Sequence, residues 1–326
     1  MGSLTETLDN LYTTTWQNMK GDVADQIFDA TPFWFWMREH GRIDDVIGGR
    51  FLTEPLRFAK SDNVKFIAKG GTVVLADKEF LTVAKYDWRY LVDSLVRFGV
   101  DDQQNRGKNQ IISLMNAKLQ NSRDSLVDKL ELVMFKQASD ETDAMQGLKD
   151  IVPIDPTVTG ATLGGIDPSV DTWWRSQTLG MTGVSAATVL RKNMTTLLNK
   201  CMNNLRGDRP DIIVGGQTPY ERYESVTIEQ KRISNKTLGD AGFENIEFKG
   251  LPMIWSPSET SDELMYFLNT ARHLRFKRDP SMNFDMTEWK AIPDQVNDRA
   301  AQVILAGELV TGRRRVHGVL HGIDTD

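Results

Sequence analysis

The chain has 326 residues, 40% of them apolar and 26% charged, with a net charge of −6 and a sequence pI near 5.4. That length buries a core in one elaborate domain or two ordinary ones, and the balance excludes a disordered chain or a membrane protein. The acidic sum is the wrong sign for a protein whose main task is gripping phosphate backbones, and the single cysteine, Cys201, rules out an intrachain disulfide or a cysteine-built metal cluster within one subunit.

The N-terminal stretch MGSLTETLDNLYTTTWQNMKGD has no basic start followed by an apolar run, and no segment approaches the ~20 apolar residues of a membrane span, so a soluble, unsecreted product is expected. Residues 1–49 mix amphipathic pieces with breakers, Pro32 and Gly48-Gly49, and read as an arm with helical turns. The run Phe33, Trp34, Phe35, Trp36 is either a core-facing segment or an anchor on a neighbouring subunit.

From Arg50 to about Lys85 short apolar stretches, Val64–Ala68 and Thr72–Ala76, are split by Gly70-Gly71 and broken by Pro55 and Asp62-Asn63, with charges of both signs threaded through. This pattern predicts extended strands around a turn: a projecting β-hairpin with little core of its own. A lone hairpin is marginally stable in water, so a neighbouring subunit is a candidate support, beside the plainer reading of a solvated charged surface. Surface ion pairs of about 0–1 kcal/mol each would set the register and specificity of such contacts more than their energy.

Between about Gln103 and Ala138, Ile112, Met115, Leu119, Leu126, Leu130 and Val133 recur at helical spacing without a proline, predicting one long amphipathic helix, a spine on the order of 50 Å at ~1.5 Å per residue. The Gly-, Pro- and Asp-rich stretch 147–176 reads as loop and short strand, ending on Trp173 and Trp174. A second helix is predicted over Ser185–Leu205, a buried strand over Asp211–Gly215, and a helix from Pro219 to about Ser225. Strands are predicted over Ile246–Ser256, Glu263–Asn269, about Arg272–Lys277, Gln302–Leu305 and Arg315–Gly322, the last two joined by Gly307 and a Thr311-Gly312 turn. The class is mixed α+β, without internal repeats.

No pattern carries chemistry. Gly164-Gly165 and Gly215-Gly216 lack the lysine and spacing of phosphate loops. His317 and His321, four apart on a strand, would stand ~13 Å apart at ~3.3 Å per residue, too far to share an ion. His40 and His273 have no triad spacing, and no G-x-S-x-G elbow occurs. Arg206-Gly207-Asp208 sits where a helix ends and carries little information, and Arg313-Arg314-Arg315 reads as a solvated strand edge or a phosphate contact. No catalytic, cofactor or metal residues are assigned, and no enzyme activity is expected.

The order of elements resembles the phage capsid fold named after bacteriophage Hong Kong 97. The segments EPLRFAKSDN, AKYDWRYLV, GGIDPSVDTWWRSQ, FKGLPMIWSP and MYFLNTARHLRF are each similar to segments of tailed-phage major capsid proteins, in order along nearly the whole chain. The resemblance implies an N-terminal arm (1–49), an extended loop (50–85), a peripheral domain (86–160, with the spine helix at about 103–138), an axial domain (161–291) and terminal strands of the peripheral domain (292–326). It further implies self-assembly through pentamers and hexamers into an icosahedral shell in the virion, enclosing double-stranded DNA contacted non-specifically, after synthesis in the host bacterial cytoplasm. A portal protein, and a decoration protein in some shells, are implied partners. With Met1 as the true start, no coiled-coil segment precedes the arm, which implies a separate scaffolding protein. No cofactor is implied. Arg57, Lys60, Lys65 and Lys69 are expected at intersubunit contacts, with Trp34, Trp36, Trp173 and Trp174 as packing anchors. Some relatives weld a loop lysine to a neighbour's asparagine; Lys60, Lys65 and Lys69 lie in the matching region, while the asparagine and the assisting glutamate have no match. The alternatives are an encapsulin-like nanocompartment of the same fold and a soluble enzyme with a site in 161–291.

Overall fold

The computed structural model describes residues 31–323 apart from 62, 73–76, 100–107, 159–160, 182–185, 203–207, 228–245, 260, 262, 294 and 296–297; the side chains of 108–117, 123, 186–188 and 227 also fall outside the description. The first helix, α1 (Pro32–Glu39), opens on a proline, whose missing N–H costs nothing in a first turn, and buries Phe33, Trp34, Trp36 and Met37 on one side. β1 (Ile43–Asp45) follows, then β2 (Leu52–Arg57) and β3 (Leu81–Tyr86), which pair antiparallel as the base of the expected hairpin. Next come β4 (Arg89–Arg97) and the spine helix α2 (Lys108–Phe135). Within the described part of α2, Leu119, Leu126, Leu130 and Val133 are buried as their spacing predicts.

A one-turn α3 (Leu148–Ile151) and β5 (Gln177–Gly180) lead to α4 (Ala186–Met202), β6 (Ile212–Gly215) and α5 (Gln217–Thr227), which begins two residues before Pro219 and so holds that proline in its first turn. The remainder is β7 (Ile246–Phe248), β8 (Leu251–Trp255), β9 (Met265–Leu268), β10 (Leu274–Met286), β11 (Lys290–Ala291), β12 (Arg299–Thr311) and β13 (Gly318–His321).

Two sheets organise these strands. β12 is the hub of the first: it pairs antiparallel with β4 on one side and with β10 and β11 on the other, and β1 runs parallel to β10. The second has the order β5-β13-β9-β6-β8-β7, parallel at β5/β13 and β6/β8. α4 and α5 pack on the second sheet through Leu190, Met194, Leu197, Tyr220 and Tyr223. The largest core joins α1, the hairpin base, the C-terminal half of α2 and both sheets, while Leu95, Leu119, Leu126 and Val303 form a smaller one between α2 and the first sheet.

Several expectations need correction. Val64–Ala68 forms no strand, because nothing among the described residues of the subunit pairs with it; Val73 to Ala76, most of the second expected stretch, lie outside the described residues. Gly307 is not a joint: β12 runs straight through it, and the glycine is there because a Cβ would stand 2.7 Å from Cζ of Phe276 on the neighbouring strand. β10 runs well past Lys277, accommodating Pro280 where its register with β12 shifts, as proline in a strand requires. Hydrogen bonding runs across the expected division at 291/292: β10 belongs to the first sheet and β13 to the second. His317 precedes β13 in a 3₁₀ turn connection, off the strand that carries His321.

Candidate assembly surface

The hairpin base has two unlike faces because strand neighbours alternate. Leu52, Leu56, Ala84 and Tyr86 point inward and are buried. On the outer face the cross-strand pairs are Thr53 with Lys85, Pro55 with Val83 and Arg57 with Leu81, all exposed. Beyond the base, Val64 is 86% exposed and Phe66 wholly so, with Ile67 and Phe80 also in solvent. Large apolar side chains clustered in one projecting segment are the signature of an interaction surface.

The base is held firmly. Tyr86 donates its hydroxyl to the Thr311 carbonyl at 2.9 Å, Lys85 N–H donates to the Gly164 carbonyl at 3.0 Å, and Lys277 pairs with Glu54 at 2.5 Å. Phe58, where the strand ends, rests on Trp173 with ring centroids 5.6 Å apart.

Arg57, Lys60, Lys65 and Lys69 are all exposed on this projection, and the Arg57 guanidinium lies 5.9 Å from the Phe80 ring centroid. The tryptophans divide. Trp34 is 2% exposed and packs edge-on against Phe276; Trp36 is 4% exposed and donates to Thr270 Oγ1; Trp174 is 1% exposed and donates to the Leu163 carbonyl. These three are sealed in the subunit's own core and have no surface to offer a neighbour, which corrects their expectation as intersubunit anchors. Trp173 alone is half-buried, under the hairpin base. Sequence reasoning selected the charges of the hairpin and missed its apolar residues as surface; the available signal was an apolar stretch bounded by breakers and interleaved with lysines.

Where the sheets meet, polar groups are enclosed. Arg314 donates from Nε to the Ile151 carbonyl and from Nη2 to the Asp150 carbonyl, both at 2.9 Å, and burial pulls its guanidinium down to about 10. Glu308 accepts from the Gln146 and Leu309 N–H groups, yet burial pushes its carboxyl up to about 8. Glu131 of α2 accepts from Ser256 Oγ at 2.5 Å, and burial raises it to about 7. His317 accepts at Nδ1 from the Asn269 N–H, so its proton sits on Nε2, facing Thr311 Oγ1 at 3.1 Å; burial, with His273 and Arg314 nearby, lowers it to about 3. Among the described residues there is no group of three or more His, Cys, Asp or Glu able to hold a metal, and no helix long and apolar enough to cross a membrane. These shifted groups lock elements together inside the subunit and offer no exposed reacting atom.

No family model and no curated protein matches the chain. Solved structures do. The capsid asymmetric unit of cyanophage A-1(L) is similar with a TM-score of 0.65 at 15% identity, covering 86% of this chain and 90% of that one. The holo-SrpI encapsulin complex from Synechococcus elongatus PCC 7942 is similar with a TM-score of 0.58 at 12% identity, covering 89% and 88%. The capsid of Myoviridae phage XM1 is similar with a TM-score of 0.52 at 11% identity, covering 88% and 91%. The chain therefore has the Hong Kong 97-like capsid fold, shared by phage capsids and an encapsulin.

Proposed function

We propose that this chain is a shell-forming protein, and specifically a tailed-phage major capsid protein that assembles through pentamers and hexamers into an icosahedral virion shell around double-stranded DNA. The observation that carries the reading is the hairpin: a rigidly seated base bearing a projection whose apolar side chains, Val64 and Phe66 foremost, have nothing to cover them among the described residues of the subunit. A second copy is the natural cover, since symmetry repeats the same modest contact many times and a closed lattice gains stability from the repetition. Arg57, Lys60, Lys65 and Lys69 then set register at that contact, and scaffolding, portal and decoration proteins are its further partners.

Negative-stain electron microscopy of the purified protein, expressed with and without a scaffold candidate, tests the proposal: shells, tubes or capsomer rings are expected, and a persistent monomer in every condition sinks it. Reversing charge at Arg57 and Lys65 together is expected to impair shell formation and leave the subunit's circular dichroism unchanged. Denaturing electrophoresis of mature shells checks covalent welding through Lys60, Lys65 or Lys69; bands at monomer mass alone dismiss it. The likeness to an encapsulin of TM-score 0.58 supports the second reading, a nanocompartment. Shells that copurify with an enzyme cargo and no nucleic acid would favour it.

A further inference from the structure

Arg206-Gly207-Asp208 and Arg313-Arg314-Arg315 are sequence features that shell contacts leave unused. Arg314 belongs to the buried junction, but Arg313 turns the other way, with Nη1 3.4 Å from Asp208 Oδ2. Arg272 Nη1 lies 2.9 Å from Asp208 Oδ1, and His273 Nε2 lies 3.2 Å from Oδ2. Asp208 is nearly closed to solvent, whereas the Arg272 and Arg313 side chains stay 67% and 42% exposed. Each guanidinium commits one nitrogen to the shared carboxylate and holds the rest of its donor fork free among the described residues.

Arg209 continues the cluster. Its carbonyl accepts from Asn269 Nδ2 at 2.6 Å, and Oδ1 of the same asparagine accepts from the Arg272 N–H at 3.1 Å, so one side chain ties the two arginines' backbones together. Arg209 Nη2 lies 3.9 Å from where a Cβ on Gly250 would stand, which sets its charge over the β7–β8 turn beside exposed Lys249. Burial raises the Asp208 carboxyl, but the hydrogen bond and charge of His273 and those of Arg272 outweigh it and hold the group ionised. Burial lowers the His273 imidazole despite the opposing pull of Asp208. The next carboxylate, Asp211, is already taken by the Thr270 N–H and hydroxyl and by Arg42. Among the described residues two arginine side chains, Arg272 and Arg313, thus share the one Asp208 carboxylate.

We infer that this cluster is a binding surface for the phosphate backbone of nucleic acid. Arg272 and Arg313 hold direct positions toward phosphate oxygens, and Asp208 is a positioning residue that braces both forks, so that little side-chain freedom remains to be lost on binding. An acidic peptide is the weaker fit: a carboxylate is satisfied by one fork, while two forks braced side by side supply donors for a phosphate's several oxygens, and Arg209 reaches onward as a repeating backbone requires. With a net charge of −6 the chain has no general attraction for DNA, so affinity has to come from a local patch of this kind.

Unassembled subunits, freed of nucleic acid at high salt, are titrated into a short labelled duplex across a salt series. For Arg272→Gln combined with Arg313→Gln, the slope of log affinity against log salt is expected to fall in magnitude by about 2, at ~0.9 for each phosphate no longer neutralised. That variant also takes both arginine partners from Asp208 and leaves it only His273, so Arg209→Gln, which lies outside the ion pairs, is measured beside it; its slope is expected to fall by about 1, with an unchanged unfolding curve. Wild-type subunits that do not bind, or variants with the wild-type slope, overturn the inference. So does a variant that binds DNA normally but no longer forms shells, which would mark the cluster as an intersubunit contact. Absence of shells from the wild type would overturn the shell reading alone, because the duplex assay does not depend on assembly.

Discussion

Around Arg314 polar groups are enclosed and most are met by partners of the same chain, whereas Val64 and Phe66 stand in water with nothing over them among the described residues. Arg314 ties the 3₁₀ turn at residues 314–316 to α3, Glu308 ties β12 to Gln146 just before that helix, and Glu131 ties α2 to Ser256, all within one subunit. The hairpin has a closed inner face and an open outer one. Substitutions in the first region should therefore be felt by the folded subunit, and substitutions in the second only by what subunits build together.

The largest effect is expected at Arg314. Truncation to Ala leaves the Ile151 and Asp150 carbonyls buried without donors, at about 1–3 kcal/mol each, and opens a cavity besides. A loss of about 3–5 kcal/mol is expected, read as a lower urea midpoint of the unassembled subunit at an unchanged slope. A loss below about 1 kcal/mol would break the contrast, since the junction would then not be what holds the subunit.

The next effect depends on pH and has two limbs of opposite sign. Glu131 is raised in the fold from 4.5 to about 7. The folded state holds that proton more tightly, so the contribution is fully present below about pH 4.5 and lost as pH rises through 7, on the order of 3 kcal/mol in all. Glu308, raised to about 8, extends the same loss upward. His317 is lowered from 6.5 to about 3, so its contribution is present above 6.5 and lost as pH falls through 3. Glu131→Gln keeps a neutral hydrogen-bonding side chain; it is expected to flatten the alkaline limb of a urea-midpoint profile and leave the acid limb in place. An alkaline limb as steep as wild type would show that Glu131 is ionised in the fold without penalty.

A smaller effect is expected at Gly164, where the glycine-rich loop passes under β3. Its φ of +63° is left-handed, and a Cβ there would lie 2.8 Å from the Ala84 Cβ. Gly164→Ala is expected to cost about 1–3 kcal/mol and to loosen the hairpin base, seen as faster amide exchange in β2 and β3. Slower or unchanged exchange would mean the base does not depend on that loop.

What could be read from the sequence follows the range of the forces involved. The spine helix was legible because Leu119, Leu126, Leu130 and Val133 share one face, a local periodicity, and so was α4 through Met194, Leu197 and Leu198. Sheet membership was not, because the pairing of β10 with β12 and of β13 with β5 and β9 joins distant segments. The run of three arginines could not reveal that the middle one is buried while the first is half-exposed, since that split arises from a turn fixed by Ile151 and Asp208 elsewhere in the chain. Glu308 did leave a trace, a lone carboxylate inside the apolar stretch of β12, and Glu131 a similar one on the buried side of α2. For the assembly surface, the charges were visible as charges, but exposure of Val64 and Phe66 is a property of having no partner, which composition does not encode.

The smallest effect on the subunit is expected where the effect on assembly is greatest. Val64→Ser with Phe66→Ser removes apolar area that is already in water, so the unfolding free energy of the subunit, read from its urea curve, should change by less than about 0.5 kcal/mol. If these side chains are covered by a second copy, each forfeits about 1.5–3 kcal/mol of burial at every such contact in the lattice, and shells should fail at concentrations where the wild type closes. Sedimentation of the two proteins side by side measures this. Normal shells from the double variant would take the apolar projection out of the assembly surface and leave Arg57, Lys60, Lys65 and Lys69 to account for it alone, which charge pairs at a solvated rim are too weak to do. A destabilised subunit would mean instead that the loop folds back onto its own chain, and the division between a closed junction and an open hairpin would not hold.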